Sequence, residues 1–210
     1  MPFFDSHSGQ VHYRHWTAVG RPVAQLVFLH GLGQHTGHYH RFARGVTATG
    51  VEVWGLDQAG HGLSEGDHPR PVPDMAKDAV LLTCLAADYA PDLPLVLMGH
   101  SLGAAVATEL LLEGSVGFRS AILCGTPRIV AAAQTADALR ALGMPLLAVH
   151  GVDDRIAPVD PVRAWAAEIA NLELREFDHA GHDLLHEKVH TAVTEAVCDF
   201  VLDSATGEYH

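Results

Sequence analysis

The residue of this sequence with the clearest context for a nucleophile is a serine that lies between two glycines. The pentapeptide Gly99-His100-Ser101-Leu102-Gly103 follows an apolar run, Leu93 to Met98, and precedes a run of strong helix formers, Ala104 to Leu112. A strand, a tight turn and a helix in this order lift the serine above the sheet edge, which is the context that gives G-x-S-x-G its meaning. Leu102 would open the helix, so its backbone N–H faces any negative charge that forms beside Ser101.

A serine of this kind needs two partners elsewhere in the chain. Its hydroxyl is a poor nucleophile at neutral pH unless a base accepts the proton, and that base needs a carboxylate to orient it. The loops after the predicted strands carry such groups: His30-Gly31-Leu32-Gly33, Asp57 to Gly62, Gly151 to Asp154, and Ala180-Gly181-His182. In an open parallel sheet, ligands bind beyond the carboxyl ends of the strands, where these loops meet. The chain therefore offers a serine, then an acid, then a histidine at one sheet edge.

The elements that position these loops alternate along the chain. Apolar runs predict strands at 11–16, 25–30, 51–56, 93–98, 120–124, 145–150 and 172–177, and helical spacing predicts helices at 39–49, 74–89, 104–112, 131–142, 159–170 and 187–202. This alternation predicts an α/β fold, a mostly parallel twisted sheet with helices on both faces, in which strand 11–16 lies at the edge. We expect one domain over residues 1–210, with 203–210 as a frayed tail.

Composition and charge exclude several classes of function. With a formal net charge of −12 and only 13 Lys and Arg residues, the chain is a poor match for nucleic acids and anionic membranes. Cys84, Cys124 and Cys198 lack the spacing of a disulfide framework or a metal site, so we expect a cytoplasmic protein. No apolar run reaches the ~18 residues of a membrane span, and the first ten residues are not typical of a signal peptide. The 16 histidines form no metal-binding tract.

Five segments taken together are typical of one family. They are HGLGQHTGHYHRFA, LDQAGHGLSEG, GHSLGAAVA, HGVDDRIAP and HAGHDLLHE, in that order. The chain resembles the α/β-hydrolase superfamily over nearly its whole length. Within that superfamily it is most similar to the monoacylglycerol lipase and lysophospholipase-like branch of the serine aminopeptidase S33 type. The order serine, acid, histidine is also the order of α/β-hydrolases.

The resemblance implies a role for individual residues. It implies Ser101 as the nucleophile, His182 as the base, and Asp154 as the acid, because the segment HGVDDRIAP fills the family pattern H-G-x-x-D-x-x-x-P. It implies the backbone N–H groups of Leu32 and Leu102 as the donors of an oxyanion hole. No metal or organic cofactor is implied.

Some of these assignments have rivals in the sequence. Asp153 adjoins Asp154 and is an alternative acid, while His179, His186 and His190 are alternatives to His182. The remaining groups near the motifs are expected to be structural: His100 buried beneath the serine, His30 holding the loop of Leu32, the loop Asp57 to Gly62 as support, and Cys124 in the core.

One departure from the family concerns the cap. The family usually inserts several helices after the strand that here ends near Cys124, but only Gly125 to Pro145 separates that strand from the next. This length accommodates one crossover helix, so we expect a protein with no cap, or with a residual lid at Thr126 to Ile129. A site without a cap favours small or flexible acyl esters over long-chain glycerides.

The expected function is therefore that of a serine hydrolase that cleaves carboxylic esters through an acyl-enzyme intermediate. Monoacylglycerol-like or lysophospholipid-like esters are included, and the partner is a small-molecule ester. Two alternatives remain open at this point: a thioesterase or acyl transferase that uses the same three residues, and a binding protein on this scaffold that has lost turnover. The sequence does not determine the oligomeric state.

Overall fold

An eight-stranded sheet forms the centre of the fold in the computed structural model, which describes residues 1–131 and 133–207. The strands are β1 (Phe3–Ser6), β2 (Gly9–Trp16), β3 (Ala24–Leu29), β4 (Val51–Leu56), β5 (Leu95–His100), β6 (Ser120–Cys124), β7 (Leu146–Gly151) and β8 (Leu172–Phe177). Their order across the sheet is β1-β2-β4-β3-β5-β6-β7-β8. The six strands from β4 to β8 in this sheet order, β3 included, are parallel to their neighbours. In contrast, β2 pairs antiparallel with both β1 and β4.

Helices cover both faces of this sheet. They are α1 (His40–Thr47), α2 (Val72–Tyr89), α3 (Leu102–Glu113), α4 (Ala133–Ala141), α5 (Asp160–Glu168) and α6 (His190–Thr206), with a short 3-10 helix at Thr36–Tyr39. Helices α1 and α6 pack on one face, and α2 to α5 pack on the other. The predicted α/β class, with a mostly parallel sheet between two helical layers, is confirmed.

The central strands are buried on both faces, as expected for a parallel sheet between helical layers. In β5, Leu97 packs in the cluster under α2 and α3, while Val96 and Met98 pack in the cluster under α1 and α6. All three side chains are fully buried. The strand that leads to Ser101 is therefore held rigidly from both sides, which fixes where the following turn begins.

Two ends of the chain differ from expectation. The prediction that residues 11–16 form the sheet edge is wrong, because β1 pairs outside β2. The four residues of β1 alternate between half-buried and exposed positions. So short a segment has too weak a hydrophobic pattern to predict a strand. At the other end, α6 continues to Thr206 and ends at Gly207 in the left-handed conformation. Residues 203–206 of the expected tail are therefore helical, and 208–210 lie outside the described residues.

The connection between β6 and β7 is short. In its described part it contains a turn near Pro127 to Val130 and the helix α4, as the spacing predicted. Val130 and Leu139 are buried against the sheet, whereas Ile129 is 86% exposed. Across residues 1–131 and 133–207, none of the helices has both the length and the apolar character required to cross a bilayer.

Leu110 provides a test of the core between α3 and the sheet. Its side chain is fully buried, so Leu110→Ala removes apolar contacts and leaves a cavity. We expect a loss of about 2–5 kcal/mol in the free energy of unfolding, measured by urea titration. Leu112→Ala, on the same helix but 41% exposed, is the control and should cost less than about 1 kcal/mol. Equal losses in the two variants would contradict this packing.

Candidate active site

Ser101 lies in a sharp turn between β5 and α3. Its backbone has φ 52° and ψ −114°, a left-handed φ that non-glycine residues rarely adopt and that costs on the order of 1–3 kcal/mol. The turn is held by the N–H of Ser101, which donates to the carbonyl of Cys124 at 2.9 Å, and by its carbonyl, which accepts from Ala104 at 2.8 Å. These bonds direct the hydroxyl out of the sheet edge.

The two glycines of the pentapeptide are required by close backbone approach. A Cβ at Gly99 would overlap the carbonyl of Gly103, and a Cβ at Gly103 would overlap the carbonyl of Leu29. Both obstacles are backbone atoms that cannot move aside. The turn therefore tolerates neither substitution without displacing β3 or α3.

The structure brings the three residues expected to do chemistry into one hydrogen-bonded chain. The Oγ of Ser101 lies 2.8 Å from Nε2 of His182, and Nδ1 of His182 lies 2.7 Å from Oδ2 of Asp154. An ionised carboxylate only accepts hydrogen bonds, so Nδ1 carries the proton and Nε2 is the free base. This arrangement leaves His182 able to accept the proton of the serine hydroxyl.

Asp154 is held by the turn that follows β7. Its Oδ1 accepts the backbone N–H groups of Ile156 at 2.9 Å and Ala157 at 2.8 Å, which leaves Oδ2 for His182. His150 lies beneath it, with Nε2 donating to the carbonyl of Ala157 at 2.7 Å and lying 3.4 Å from Oδ2 of Asp154. Burial lowers the pKa of His150 below its usual value. A neutral His150 supports the turn without competing for the charge of the carboxylate.

The rival residues lie elsewhere. Asp153 and His179 are exposed, whereas Asp154 is buried. The ring of His186 packs on Tyr39, with ring centroids 4.9 Å apart. Among the described residues, none of these three histidine alternatives (His179, His186, His190) hydrogen-bonds to the hydroxyl of Ser101. The geometry therefore favours Asp154 over Asp153 and His182 over its neighbours.

Two buried histidines tie the loops together. His100 donates from Nε2 to the carbonyl of His182 at 2.9 Å, and burial lowers its pKa to about 4. His30 donates from Nδ1 to the carbonyl of Gly31 at 2.8 Å and accepts the N–H of Gln58 on Nε2 at 2.9 Å. Burial also lowers the pKa of His30 to about 4. Both rings are neutral at pH 7 and connect separate loops.

Two backbone N–H groups belong to residues that adjoin Ser101: Leu102 follows it in the chain, and Leu32 lines the same cavity. Leu102 is the first residue of α3, so its N–H has no partner within the helix. In the described part of the chain, the N–H of Leu32 has no hydrogen-bond partner either, and its side chain is 60% exposed. Gly31 lies directly against Ser101 and His100, since a Cβ there would meet His100 Nδ1 at 2.9 Å. The loop of Leu32 is thus packed closely on the turn of Ser101.

Gln34 is a residue that the sequence did not single out. Its Oε1 accepts the N–H of Gly31 at 3.0 Å and the hydroxyl of Tyr39, and its Nε2 donates to Oδ1 of Asp183 at 3.0 Å. One side chain therefore connects the loop of Leu32 to the residue that follows His182. The only signal in the sequence is its place one residue after the loop His30-Gly31-Leu32-Gly33.

The loop after β4 supports the same edge, as predicted. Oδ1 of Asp57 accepts the N–H and the hydroxyl of Thr36, at 2.7 and 2.6 Å. Oδ2 accepts from His12 at 2.9 Å and from the N–H of Leu63 at 3.0 Å. Cys124, also expected in the core, is fully buried, and burial raises the pKa of its thiol. None of these groups reaches the hydroxyl of Ser101.

A cavity lined by Ser101 and His182 adjoins a second cavity. The first, of about 160 Å³, is lined by Gly31, Leu32, Gln34, His100, Ser101, Ile156, His182 and Asp183. The second, of about 400 Å³, is lined by four residues with polar side chains, Gln34, His38, Asp183 and His186. The two share Gln34 and Asp183, so a ligand at Ser101 can extend into the polar space. Within the described ranges, no group of three or more His, Cys, Asp and Glu side chains is placed to hold a metal ion.

The buried ring of His30 predicts how the free energy of unfolding changes with pH. Its pKa is about 6.5 in an unfolded chain and about 4 here, so between these values the unfolded chain binds a proton that the folded chain does not. Stability should therefore fall as the pH drops from 6.5 towards 4. His30→Asn removes this contribution, so its loss in unfolding free energy between pH 7 and pH 4.5 should be about 2 kcal/mol smaller than that of the parent.

The control for this measurement is His179→Asn, since His179 is exposed and asparagine tolerates its left-handed φ of 58°. It should lose as much free energy of unfolding between the two pH values as the parent. If His30→Asn and His179→Asn lost equal amounts, the neutral buried state of His30 would be wrong.

Comparison with known proteins places the chain in a family. The model of the family described as serine aminopeptidase, S33, matches residues 20–131, which include β3 to β6 and the turn of Ser101. The chain is 30% identical to human monoglyceride lipase over 165 residues, which are 76% of this chain and 54% of that protein. It is 36% identical to the monoacylglycerol lipase of Mycolicibacterium smegmatis over 96 residues, 45% of this chain and 34% of that protein.

The chain spans about half the length of the curated relatives it matches, or less. The fold is similar over its whole extent to a thermostable carboxyl esterase from Bacillus coagulans, with a TM-score of 0.86 and 16% identity over 97% of this chain and 98% of that one. At this identity the likeness concerns the fold alone. Because the family model matches more than half of the chain, the chain belongs to the serine aminopeptidase S33 family of α/β-hydrolases.

Proposed function

We propose that this protein hydrolyses carboxylic esters through an acyl-enzyme intermediate. The observation that carries the proposal is the hydrogen-bonded chain from Ser101 through His182 to Asp154, with distances of 2.8 and 2.7 Å. These are the three groups, in the three positions, that activate a serine for attack on a carbonyl. A binding protein that had lost turnover would have no need for a serine in a strained turn beside a free base.

The first half of the reaction transfers the acyl group to the protein. Oγ of Ser101 attacks the ester carbonyl while Nε2 of His182 accepts its proton, and the carboxylate of Asp154 stabilises the imidazolium. The N–H groups of Leu32 and Leu102 bind the oxyanion of the tetrahedral intermediate, and each donor contributes about 3 kcal/mol to lowering the barrier. The bond to the alcohol oxygen then breaks, and His182 gives its proton to the leaving alcohol.

The second half restores the serine. A water molecule attacks the acyl carbonyl while His182 accepts one of its protons. The tetrahedral intermediate collapses, the bond to Oγ of Ser101 breaks, and His182 returns the proton to Oγ. Nε2 of His182 accepts and releases every proton, so the reaction requires neither a metal nor an organic cofactor.

The size of the cavity at Ser101 and the polar residues beside it support small carboxylic esters as the substrate class. The cavity at Ser101 is about 160 Å³, and its neighbour of about 400 Å³ is lined by polar groups that suit an alcohol leaving group. The related proteins named above are monoglyceride and monoacylglycerol lipases, and the fold is shared with a carboxyl esterase. Short or flexible acyl esters, including monoacylglycerol-like ones, are the proposed substrates.

Two further proposals accompany this function. We propose a cytoplasmic location, supported by three cysteines that are all free thiols, and by the absence of a membrane-spanning helix among residues 1–131 and 133–207. We also propose that the chain acts as a single domain, because its described helices all pack on one sheet.

Ser101→Ala is the first test of the proposed function. It removes the nucleophile, so kcat/KM for 4-nitrophenyl butyrate should fall by at least about 10⁴-fold. Asp154→Asn should give a fall of similar size, because the amide favours the wrong tautomer of His182. Ser115→Ala, at an exposed position between α3 and β6, is the matched control and should keep the parent rate. Parent activity in Ser101→Ala would rule out the mechanism.

Gln34→Glu tests the side chain that links the two loops. The change keeps the shape but replaces the donor to Asp183 with a second carboxylate, which should move the loop of Leu32 away from its position. We expect kcat for the same ester to fall by about tenfold with a smaller change in KM, since the oxyanion donors act mainly in the transition state.

The matched control is Gln10→Glu. Nε2 of Gln10 also donates to a carboxylate, that of Asp5, but in the hairpin of β1 and β2. This variant should retain the parent kcat. If both variants lowered kcat equally, the effect would be one of charge or stability and the linking role of Gln34 would be wrong.

A further inference from the structure

The two cavities at the site share an acidic residue, Asp183. It lines the cavity of about 160 Å³ that is also lined by Ser101 and His182, and it lines the neighbouring cavity of about 400 Å³. Gln34 is the other residue that lines both cavities. A ligand that extends from Ser101 into the larger cavity therefore passes Asp183.

One oxygen of the Asp183 carboxylate is bonded within the protein and the other is not. Oδ1 accepts a hydrogen bond from Nε2 of Gln34 at 3.0 Å. In the part of the chain that the structure describes, Oδ2 has no hydrogen-bond partner, and it is not one of the buried polar atoms that lack a partner. Since Asp183 is half-buried, Oδ2 is an accessible acceptor that the bond at Oδ1 holds in place.

The charge of Asp183 is not offset by a bonded cation. Among residues 1–131 and 133–207, no Lys or Arg side chain forms an ion pair with it. Arg41 donates instead to the carbonyls of Leu185 and His186, both at 3.3 Å. A second carboxylate lies close by, because Oε1 of Glu187 accepts the N–H of Asp183 at 3.1 Å. Together with the net charge of −12, this favours a positively charged ligand group beside Oδ2.

The two cavities differ in their apolar residues, which gives a bound ester a direction. Leu32 and Ile156 line the cavity at Ser101 and are 60% and 77% exposed, whereas the residues that line the larger cavity all have polar side chains. Burial lowers the pKa of His186 in the larger cavity, so its ring is neutral at pH 7. An acyl chain removes apolar surface from water beside Leu32 and Ile156, and the alcohol part then extends past Asp183.

We infer that Asp183 selects esters whose alcohol part carries a positive charge near the ester oxygen, as in amino alcohols and quaternary ammonium alcohols. This inference rests on the proposed function. The acyl chain lies against Leu32 and Ile156, the ester carbonyl lies at Ser101, and the cation of the alcohol pairs with Oδ2 of Asp183. Asp183 is thus a specificity-determining residue and takes no part in the transfer of protons.

The test compares two butyrate esters of the same shape that differ in charge. Butyrylcholine has a trimethylammonium group, and 3,3-dimethylbutyl butyrate has a tert-butyl group in its place. The readout is the ratio of kcat/KM for the charged ester to that for the neutral ester at pH 8, where imidazole groups are neutral. The ammonium group also makes choline a better leaving group, but this effect is the same in every variant. A change in the ratio between variants therefore reports the binding of the charge.

Variants assign the preference to one carboxylate. Asp183→Asn removes the charge but keeps an oxygen that can accept from Gln34, and it should lower the ratio by about fivefold, the upper end of what exposed ion pairs contribute. Asp183→Glu keeps the charge and should lower the ratio less. Asp178→Asn is the matched control, because Asp178 is exposed on the same loop before His182 and lines neither cavity. It also removes one negative charge, and its ratio should equal that of the parent.

Two further readouts separate binding from leaving-group chemistry and establish the direction of binding. Free choline should inhibit the cleavage of 4-nitrophenyl butyrate more strongly than 3,3-dimethylbutanol does, and Asp183→Asn should reduce this difference. A second pair of esters carries the charge on the acyl side: ethyl 4-(trimethylammonio)butyrate and its neutral counterpart ethyl 5,5-dimethylhexanoate. Asp183→Asn should leave the ratio for this second pair unchanged.

The outcomes separate the inference from the function on which it rests. If Asp183→Asn kept the parent ratio for the butyrate pair, or if Asp178→Asn lowered it equally, the inference would be overturned while ester hydrolysis stood. A fall confined to the acyl-side pair would overturn it as well. If 4-nitrophenyl butyrate were cleaved but neither butyrate of the pair, equal inhibition by the two alcohols would overturn it. If no ester were cleaved, the proposed function would fail and the inference with it.

Discussion

The backbone of Ser101 is the constraint on which the site depends. Its left-handed φ of 52° places the hydroxyl outside the sheet and leaves the first N–H of α3 beside it. Such a conformation is unfavourable in isolation and persists only where the surroundings hold it. Here a rigid strand buried on both faces leads into the turn, and the absence of side chains at Gly99 and Gly103 lets the chain reverse direction.

The partners of Ser101 come from loops that are connected to one another as well as to the serine. His100 holds the carbonyl of His182, and Gln34 connects Gly31 to Asp183, so the base and the loop of Leu32 are both fixed relative to the nucleophile. These groups are neutral or fully paired, which keeps the charge of Asp154 for His182. The result is a preorganised site, in which little has to move when charge develops on a bound carbonyl.

Much of the fold was predictable because its signal is local. The runs that became β4, β6 and β8 were predicted with the bounds that the structure has, because β4 and β6 are buried apolar segments and β8 alternates between apolar and charged residues. The edge strand β1 was not predicted, because four residues that alternate in exposure carry too weak a pattern. The likeness to the S33 family was also visible in the motifs and is confirmed by the family match.

The site was only partly predictable, since its geometry depends on contacts between distant loops. The motifs named Ser101 and His182 and, through the family pattern, Asp154, but Asp153 stayed open as an alternative acid because the difference in burial between adjacent residues is not visible in the sequence. The role of Gln34 depends on Asp183, which is 149 residues away along the chain. Such properties belong to the packed loops and have no local pattern.

The most direct measurement of the central claim is the site at which a fluorophosphonate reacts with the folded protein, located by mass spectrometry of the peptides. We predict one adduct, on Ser101, that forms at neutral pH and is lost when His182 is replaced by alanine, because the hydroxyl reacts only when His182 accepts its proton. An unlabelled Ser101 in the folded protein, or labelling that persists unchanged in His182→Ala, would contradict the claim that these two residues form an activated nucleophile.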